Sequence, residues 1–537
     1  MRFKMGEGGI FRDKIFWLTL VCGGFLLSVS LWFKFTMDQA LCHYSAWIWR
    51  NYHLPPYLGV WDLSFPGIFI LHRLIIGFFG ESIFGFRLFD YLVQLSNVGM
   101  LYYLARRISG LSSAGFLAGV FYSIYYAGLG SLETGEREGY IFFLLLLSLI
   151  ISLGFGNRYW LRAMLVGLML GFGFLLKPSY GVCWLVFGIW FLAEGLRAKR
   201  ARVWLELFIY IFSCLFPLAL VIFYYWRLGY VEELYSATIL YNLEVYSGSS
   251  SGIFSNFSRV GLMLFIFHRD FMKQPLIIFS FLLMLMFQIF GWRRIRDRKL
   301  FWVLITLLGV SIFSYWLQAK FFPYHLTPFM GLLTIFSGWF FGLVFNYFHG
   351  QVRDIGAGFR AGIFYLVLII LVILGNNYYL ISYFAYDYLK PFEQVYSSGN
   401  SFDAEYYRTI KGLEPLLREE REIGYFGWHP LLPYLLKKRL PSRFCNVYHL
   451  LIRRKDGRLS KLQEKWIKEY TEAMIKAKPK FFLVSDYVPG WEVFNLESPS
   501  LKYALDKNFP ELKAFLTANY KLYAKDSVVE VYLYQGE

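Results

Sequence analysis

Long apolar runs separated by a few polar or basic residues fill the chain up to about residue 391. Runs long enough for about 30 Å of hydrocarbon fall near residues 15–35, 84–104, 111–130, 138–155, 161–176, 180–194, 204–226, 274–291, 300–317, 326–347 and 359–383. They predict a polytopic α-helical membrane module over residues 1–391. Two of its loops, 36–83 and 227–273, are too polar in places to cross again. They nevertheless hold apolar stretches such as Trp61 to Leu71 and Val260 to Phe267, the pattern of helices lying in the headgroup plane. Beyond residue 391 the pattern changes. Asp403 to Glu420 and Lys461 to Lys476 mix apolar and charged positions as helices do, and Lys480 to Ser485 reads as a strand. Tyr520 to Tyr523 and Val528 to Tyr534 read as a terminal strand pair around Lys525-Asp526, and Phe444 to Ile452 is rich in β-formers. A small α/β layer domain is expected over 392–537.

Composition sharpens the division. Hydrophobic residues make up 57% of the 537 positions and charged residues 17%, against about 25% charged in an average soluble protein. Residues 392–537 hold 42 charges in 146 positions, while the first 391 carry about one in eight. Of the net charge of +17, 13 units belong to the membrane part. These sit in short loops between apolar runs, where they act as topology determinants and not as a nucleic-acid footprint. One alternating set of loops, with the N-terminus, carries 19 Lys/Arg and the other set only 9 over a greater length. The positive-inside rule therefore puts the N-terminus in the cytoplasm, and an odd number of spans puts 392–537 outside. The first apolar run lacks a small-residue cleavage site and reads as a retained span. The five cysteines show neither metal nor redox spacing, and GxGxxG and Walker loops are missing.

The candidate chemistry lies where the spans meet the expected exterior. Asp38 follows the first span, Glu133, Glu136, Arg137 and Glu138 the third, Lys177-Pro178-Ser179-Tyr180 the fifth, and Lys320 to His325 the ninth. All arrive at one depth. A carboxylate base near several cations suits transfer from a phosphate leaving group, because the base takes a proton while the cations stabilise the departing phosphate. Simpler readings stand beside this one. In them Asp38 ends a helix in solvent, Lys177 and Lys320 snorkel, and Arg137 pairs with Glu133 or Glu138. Charge at this depth is costly unless used or paired. His53, His72, His268 and His325 form no spaced metal set, and Glu244 is a weak acceptor-site candidate whose simpler reading is exposure or a local ion pair.

At these residues the sequence resembles the polyprenyl-phosphate-dependent membrane glycosyltransferases of the C-type fold. It is most similar to the bacterial family 39 enzymes, which include protein O-mannosyltransferases and lipid A aminoarabinose transferases. Asp38 matches the place of that family's catalytic Asp, and Trp61-Asp62-Leu63-Ser64-Phe65-Pro66 its acidic and Pro-bearing exterior segment. Phe84-Gly85-Phe86-Arg87-Leu88 resembles the Arg-bearing start of the second span, and Lys320 to Pro328 the Lys-x-x-x-Tyr-x-x-x-Pro pattern that includes Tyr324. The chain departs from the family in two places: the frequent Asp-Glu pair is Asp38-Gln39, and Leu63 and Ser64 stand where a Lys commonly precedes the Pro. The Asp-x-Asp and Trp-Trp-Asp-Tyr-Gly signatures of oligosaccharyltransferases are missing.

The resemblance implies an inverting hexosyl- or pentosyltransferase in the cytoplasmic (inner) membrane. Its donor would be a monosaccharide on a polyprenyl phosphate and its acceptor a hydroxyl of a lipid, glycan or protein. Asp38 would be the base, and Asp62, Arg137, Glu138, Lys177, Lys320 and Tyr324 would bind substrate. No obligatory metal or other cofactor, no nucleic acid and a monomeric state are expected. Two other classes compete: a polymerase or ligase of lipid-linked glycans, distinguished by a diphosphate-linked donor, and a non-enzymatic transporter, distinguished by a polar path at mid-membrane.

Overall fold

The computed structural model describes residues 10–154, 158–246, 261, 275–291, 295–318, 322–351, 402–454, 456–488 and 495–536. The chain divides into two compact units: residues 1–34, 82–221 and 259–389 form the first, and residues 35–81, 222–258 and 390–537 the second.

The first unit is helical. Among the described residues seven helical segments are long and apolar enough to cross a membrane: Lys14–Trp32, Arg137–Gly154, Tyr159–Leu176, Pro178–Arg197, Val203–Leu228, Arg298–Gln318 and Pro323–Asn346. This is a multi-pass membrane protein. Three more expected spans are helices as well, Ile83–Ser109, Ser112–Gly128 and Pro275–Gly291. The expected eleventh, 359–383, lies outside the described residues, as does nearly all of Val260 to Phe267.

The helix Ser112–Gly128 is the core of this unit, packed by Lys14–Leu27, Ile83–Ser109 and Thr327–Gln351. Lipid tails are as apolar as Leu, so helices in a membrane gain from close packing, and small residues permit it. A Cβ on Gly338 would lie 2.5 Å from the Ala114 carbonyl oxygen and 2.6 Å from the Ala118 nitrogen; one on Gly342 would lie 2.9 Å from the Ala114 nitrogen. Ala114 and Ala118 thus face Gly338 and Gly342 one turn apart. Around this contact Val29, Phe33, Leu117, Val120, Phe121 and Ile124 fill the interior.

The second unit contains a four-stranded sheet of order β1-β2-β4-β3: β1 Gly424–Phe426, β2 Phe481–Ser485, β3 Tyr520–Lys525 and β4 Val529–Tyr534. β1 runs parallel to β2, and β4 antiparallel to both β2 and β3. The β3–β4 turn is closed by Asp526, whose Oδ1 accepts from the backbone of Val528 and Val529. The helix Lys461–Ala477 starts at a capping box of Ser460 and Gln463 and buries Gln463, Trp466, Tyr470 and Met474 along one face. These elements match the sequence expectation, as does the helix Phe402–Leu417.

Phe444 to Ile452 does not form a strand. All nine residues are buried, and their regular structure is the single turn Tyr448–Leu451. A half-buried strand alternates inside and outside; here the β-formers are apolar because every side is covered. The short strand β1 was not expected, and three residues are too few to display a period.

Residues 35–81 contribute two helices, Met37–Tyr52 and Gly67–Phe79. The link between them is held by Trp61, which is 1% exposed. Its ring meets Tyr241, Phe444, His449 and Trp466 at centroid distances of 5.0, 5.8, 5.3 and 4.9 Å. The Trp61 backbone N–H donates to the Arg443 carbonyl at 2.8 Å, and the Arg443 guanidinium donates back to the Tyr57 carbonyl at 2.9 Å. Three segments distant in sequence share this aromatic core.

The sheet also carries a pH-sensitive contact. Glu530 accepts from Lys502 at 2.7 Å, Lys525 at 2.9 Å and Tyr532 at 2.8 Å. Burial raises its pKa, but these hydrogen bonds outweigh burial and bring it down to about 2. A carboxylate depressed on folding stabilises the fold above its unfolded pKa and loses that contribution as pH falls through the folded value. Replacing Glu530 by Gln should therefore cost about 1–2 kcal/mol at neutral pH, the lysines being partly in solvent. The variant should also flatten the fall in melting temperature between about pH 4.5 and 2. Equal slopes in the two proteins would remove Glu530 from the acid limb.

Candidate active site

In the first unit, residues from three separate stretches converge where the helix Tyr159–Leu176 ends and the helix Arg137–Gly154 begins. Lys177 follows the last turn of the former, and its ammonium is paired with the Glu138 carboxylate. The same carboxylate oxygen lies 3.7 Å from His325 Nε2. Lys177 also lies 5.7 Å from the ring centre of Tyr324, whose backbone N–H donates to Glu133 Oε2 at 2.9 Å. Arg137 is half-buried and acts electrostatically on both Lys177 and His325. Burial pulls the Lys177 ammonium down to about 8, against the opposite pull of Glu138. The centre of the cluster is buried: Glu138 is fully so, and its second oxygen, His325 Nδ1 and the Tyr180 hydroxyl are buried with no hydrogen-bond partner among the described residues.

The sequence-predicted residues Arg137, Glu138, Lys177 and Tyr324 are thus brought together. Lys177 pairs with Glu138 and does not simply snorkel. Lys320 lies outside the described residues.

What delivers this cluster is Arg87, near the start of the helix Ile83–Ser109 and 0% exposed. Its guanidinium donates to the carbonyls of Phe33 (3.0 Å), Lys34 (2.6 Å), Thr134 (3.1 Å) and Ser131 (3.4 Å). One cation therefore satisfies backbone left open at the end of the first span and in the turn before Arg137. That turn passes through Gly135 at φ +75°, where a Cβ would sit 2.8 Å from the Phe86 ring and 3.0 Å from the Arg87 guanidinium. Only glycine fits both constraints.

A buried polar chain supports the turn from below. The Gly135 N–H donates to the Tyr126 hydroxyl at 2.8 Å, and that hydroxyl donates to Asp90 at 2.9 Å. Gln94 donates to Asp90 at 2.9 Å, Asn97 to Gln94 at 2.8 Å, and Tyr122 also donates to Gln94. Reading the rim alone missed this chain, as it missed His325 as a partner of Glu138. A signal was present: Arg87, Asp90, Gln94 and Asn97 recur at helical spacing inside an otherwise apolar run.

In the second unit Asp38 occupies the first turn of the helix Met37–Tyr52 and is half-buried. The capping there is done by its neighbours, Thr36 and Gln39 forming a reciprocal box in which the Thr36 N–H donates to Gln39 Oε1 at 3.3 Å. The Gln that departs from the usual Asp-Glu pair thus has a structural role. Asp62 is 4% exposed, and its carboxylate accepts from the Leu63 N–H at 2.7 Å. Burial, together with Tyr246, Asp38, Tyr241 and Asp62, pushes the Tyr448 hydroxyl well above its ordinary range. Both carboxylates are therefore within electrostatic reach of a phenol that stays protonated. Glu244 ends the short helix Tyr241–Glu244 and is exposed.

The structure can be compared with solved proteins on this basis. ArnT from Cupriavidus metallidurans bound to undecaprenyl phosphate superposes over 96% of this chain and 97% of its own, with TM-score 0.56 and 13% identity. The oligosaccharyltransferase AglB from Archaeoglobus fulgidus, in complex with an inhibitory peptide and a dolichol-phosphate, matches over 89% of this chain and 70% of its own, with TM-score 0.51 and 13% identity. The fold is that of the C-type membrane glycosyltransferases. The Archaeoglobus fulgidus enzyme tethered to an acceptor peptide containing the NVT sequon gives TM-score 0.51 over 98% of this chain and 74% of its own, at 12% identity. In sequence, the family model for dolichyl-phosphate-mannose-protein mannosyltransferases matches residues 65–226. That stretch includes Arg87, Arg137, Glu138 and Lys177. No curated protein matches the chain in sequence. The resemblance read from the motifs is borne out in the fold and in this family match.

Proposed function

We propose that the protein is an inverting glycosyltransferase that moves one sugar from a polyprenyl-phosphate donor to a hydroxyl of a lipid, glycan or protein acceptor. One joint observation carries the reading: residues 65–226 match the mannosyltransferase model, and its Arg137, Glu138 and Lys177 form a buried charged cluster. The ligands in the solved relatives support the donor class, since ArnT was solved with undecaprenyl phosphate and AglB with a dolichol-phosphate.

In this reading Lys177 and Arg137, with Lys320, meet the donor phosphate and stabilise the charge that grows on it as the glycosidic bond breaks. Asp38 takes the proton of the acceptor hydroxyl, whose oxygen attacks the anomeric carbon from the opposite side. Asp62 and Tyr324 contact substrate. The side-chain cations meet the phosphate charge, so the reading calls for no obligatory metal. The loop count of 19 Lys/Arg against 9 supports a cytoplasmic N-terminus and a C-terminal domain outside the inner membrane.

The donor class is tested by supplying purified protein with polyprenyl-monophosphate hexose, polyprenyl-monophosphate pentose and a polyprenyl-diphosphate glycan. Consumption of a monophosphate donor with release of polyprenyl monophosphate is expected. Consumption of the diphosphate donor alone would transfer the protein to the polymerase or ligase class. Lys177→Met, which keeps the apolar stem and removes the charge, should weaken polyprenyl-phosphate binding about 10- to 100-fold. It also strands Glu138, so Lys177→Met/Glu138→Gln is the proper companion. Unchanged affinity in the double variant would place the phosphate elsewhere.

A further inference from the structure

We propose that the end of the helical unit opposite Lys177 holds a binding site for the phosphate headgroup of an anionic phospholipid, built around Arg162 and Arg200. The helix Tyr159–Leu176 has 18 residues, so Arg162, in its first turn, lies about 20 Å along the axis from Lys177. The two clusters are separate.

The Arg162 guanidinium is 4% exposed and donates to Glu194 Oε2 at 3.0 Å. The Arg200 guanidinium, 11% exposed, uses one nitrogen on Glu206, at 3.0 and 3.3 Å from the two oxygens. Both stack on the Tyr159 ring, at 5.3 and 3.8 Å. Arg162 Nε and Arg200 Nε and Nη2 are buried and meet no acceptor among the described residues. A guanidinium edge left bare in a low-dielectric setting is costly, and Nε with an Nη is the fork that receives a phosphate or carboxylate bidentately. The local carboxylates are already engaged, since Glu194 also meets Lys299 at 3.2 Å. Exposed Arg197, Lys199 and Arg202 add positive charge where the helix Val182–Arg197 turns into the helix Val203–Leu228.

A second observation fixes the depth. Trp160, Trp204 and Trp302 each stand within a turn of the start of their helices and are 55%, 65% and 54% exposed. Three Trp at the mouths of three helices that share this end form the aromatic belt typical of the headgroup level. A basic pocket between helices at that level is matched by an anionic lipid headgroup. The phosphate takes the unpaired guanidinium edges, and the acyl chains follow the exposed Trp side chains down the helices.

The test reconstitutes the full chain in nanodiscs of phosphatidylcholine with and without phosphatidylglycerol, and measures bound lipid after detergent extraction by native mass spectrometry. Wild type should retain phosphatidylglycerol over phosphatidylcholine. Arg200→Gln should lose about fivefold of that preference, and Arg200→Lys, which keeps the charge without the fork, should lose less. Equal retention of the two lipids by wild type, or undiminished preference in Arg200→Gln, would overturn the site. Inorganic phosphate that stabilises the detergent-solubilised protein as much as phosphatidylglycerol does would overturn the lipid as its occupant. Should Arg200→Gln fail to fold, the lysine variant and the wild-type lipid comparison still decide.

Discussion

Asp38→Asn is expected to lower the rate of sugar transfer by about 10²- to 10⁴-fold, the usual cost of losing a general base, with the melting temperature nearly unchanged. The second half of this expectation comes from the helix start. Thr36 and Gln39 already cap the helix Met37–Tyr52, so the amide removes no cap. It weakens the attraction of the anion to the helix N-terminus, worth about 0.3–1 kcal/mol. That is small beside a fold stability of about 5–15 kcal/mol, so unfolding cannot mimic lost chemistry. The measurement is transfer from a polyprenyl-phosphate sugar in detergent alongside a thermal melt. Full activity would exclude Asp38 as base. The same amide change at Asp62, Glu133 and Glu136 locates the proton acceptor in that event.

Trp61→Ala should destabilise the second unit by about 3–5 kcal/mol, the range for emptying a buried aromatic site. Four rings contact Trp61, from residues 241, 444, 449 and 466, and none can follow the shortened side chain without leaving another. The indole N–H is buried without a hydrogen-bond partner among the described residues. Trp61→Phe therefore gives up no hydrogen bond and should recover much of the loss. Denaturant titration and limited proteolysis report the change; a cost below about 1 kcal/mol would remove Trp61 from the core of that unit. Because Trp61 adjoins Asp62, the alanine variant should also reduce transfer, and the Phe variant should restore it in step with stability.

Several features were legible in the residues because they depend on local physics. A bilayer sets the length of an apolar run, so ten of the expected spans coincide with helices. The pleat sets a period of two and the turn chemistry its punctuation, so β2 and the β3–β4 pair around Asp526 were found. The candidate cations and carboxylates were visible for a similar reason, since charge beside an apolar run stands out.

Pairing was not legible. The simpler reading of Arg137 named Glu133 or Glu138 as its partner, and neither reading foresaw that Lys177, 39 positions away, holds the Glu138 carboxylate. Nothing in either neighbourhood encodes that meeting, because it depends on how the helices Arg137–Gly154 and Tyr159–Leu176 pack. Arg87 looked like a family mark, while its task of binding four carbonyls exists only once the first span and the 131–134 turn are in place.

The sequence by itself determined that the chain crosses a membrane many times, that a charged α/β portion follows, and where acid and base residues gather along it. Hydrocarbon thickness and backbone periodicity act on neighbouring residues and leave their imprint there. Only the tertiary structure decided that Trp61 and Tyr241 belong to the same core as Trp466, that Glu138 is buried between Lys177 and His325, and that Ala114 and Ala118 admit Gly338 and Gly342. Those outcomes rest on close packing between segments far apart in the chain, where the fit of one surface to another, and not the character of either alone, sets the energy.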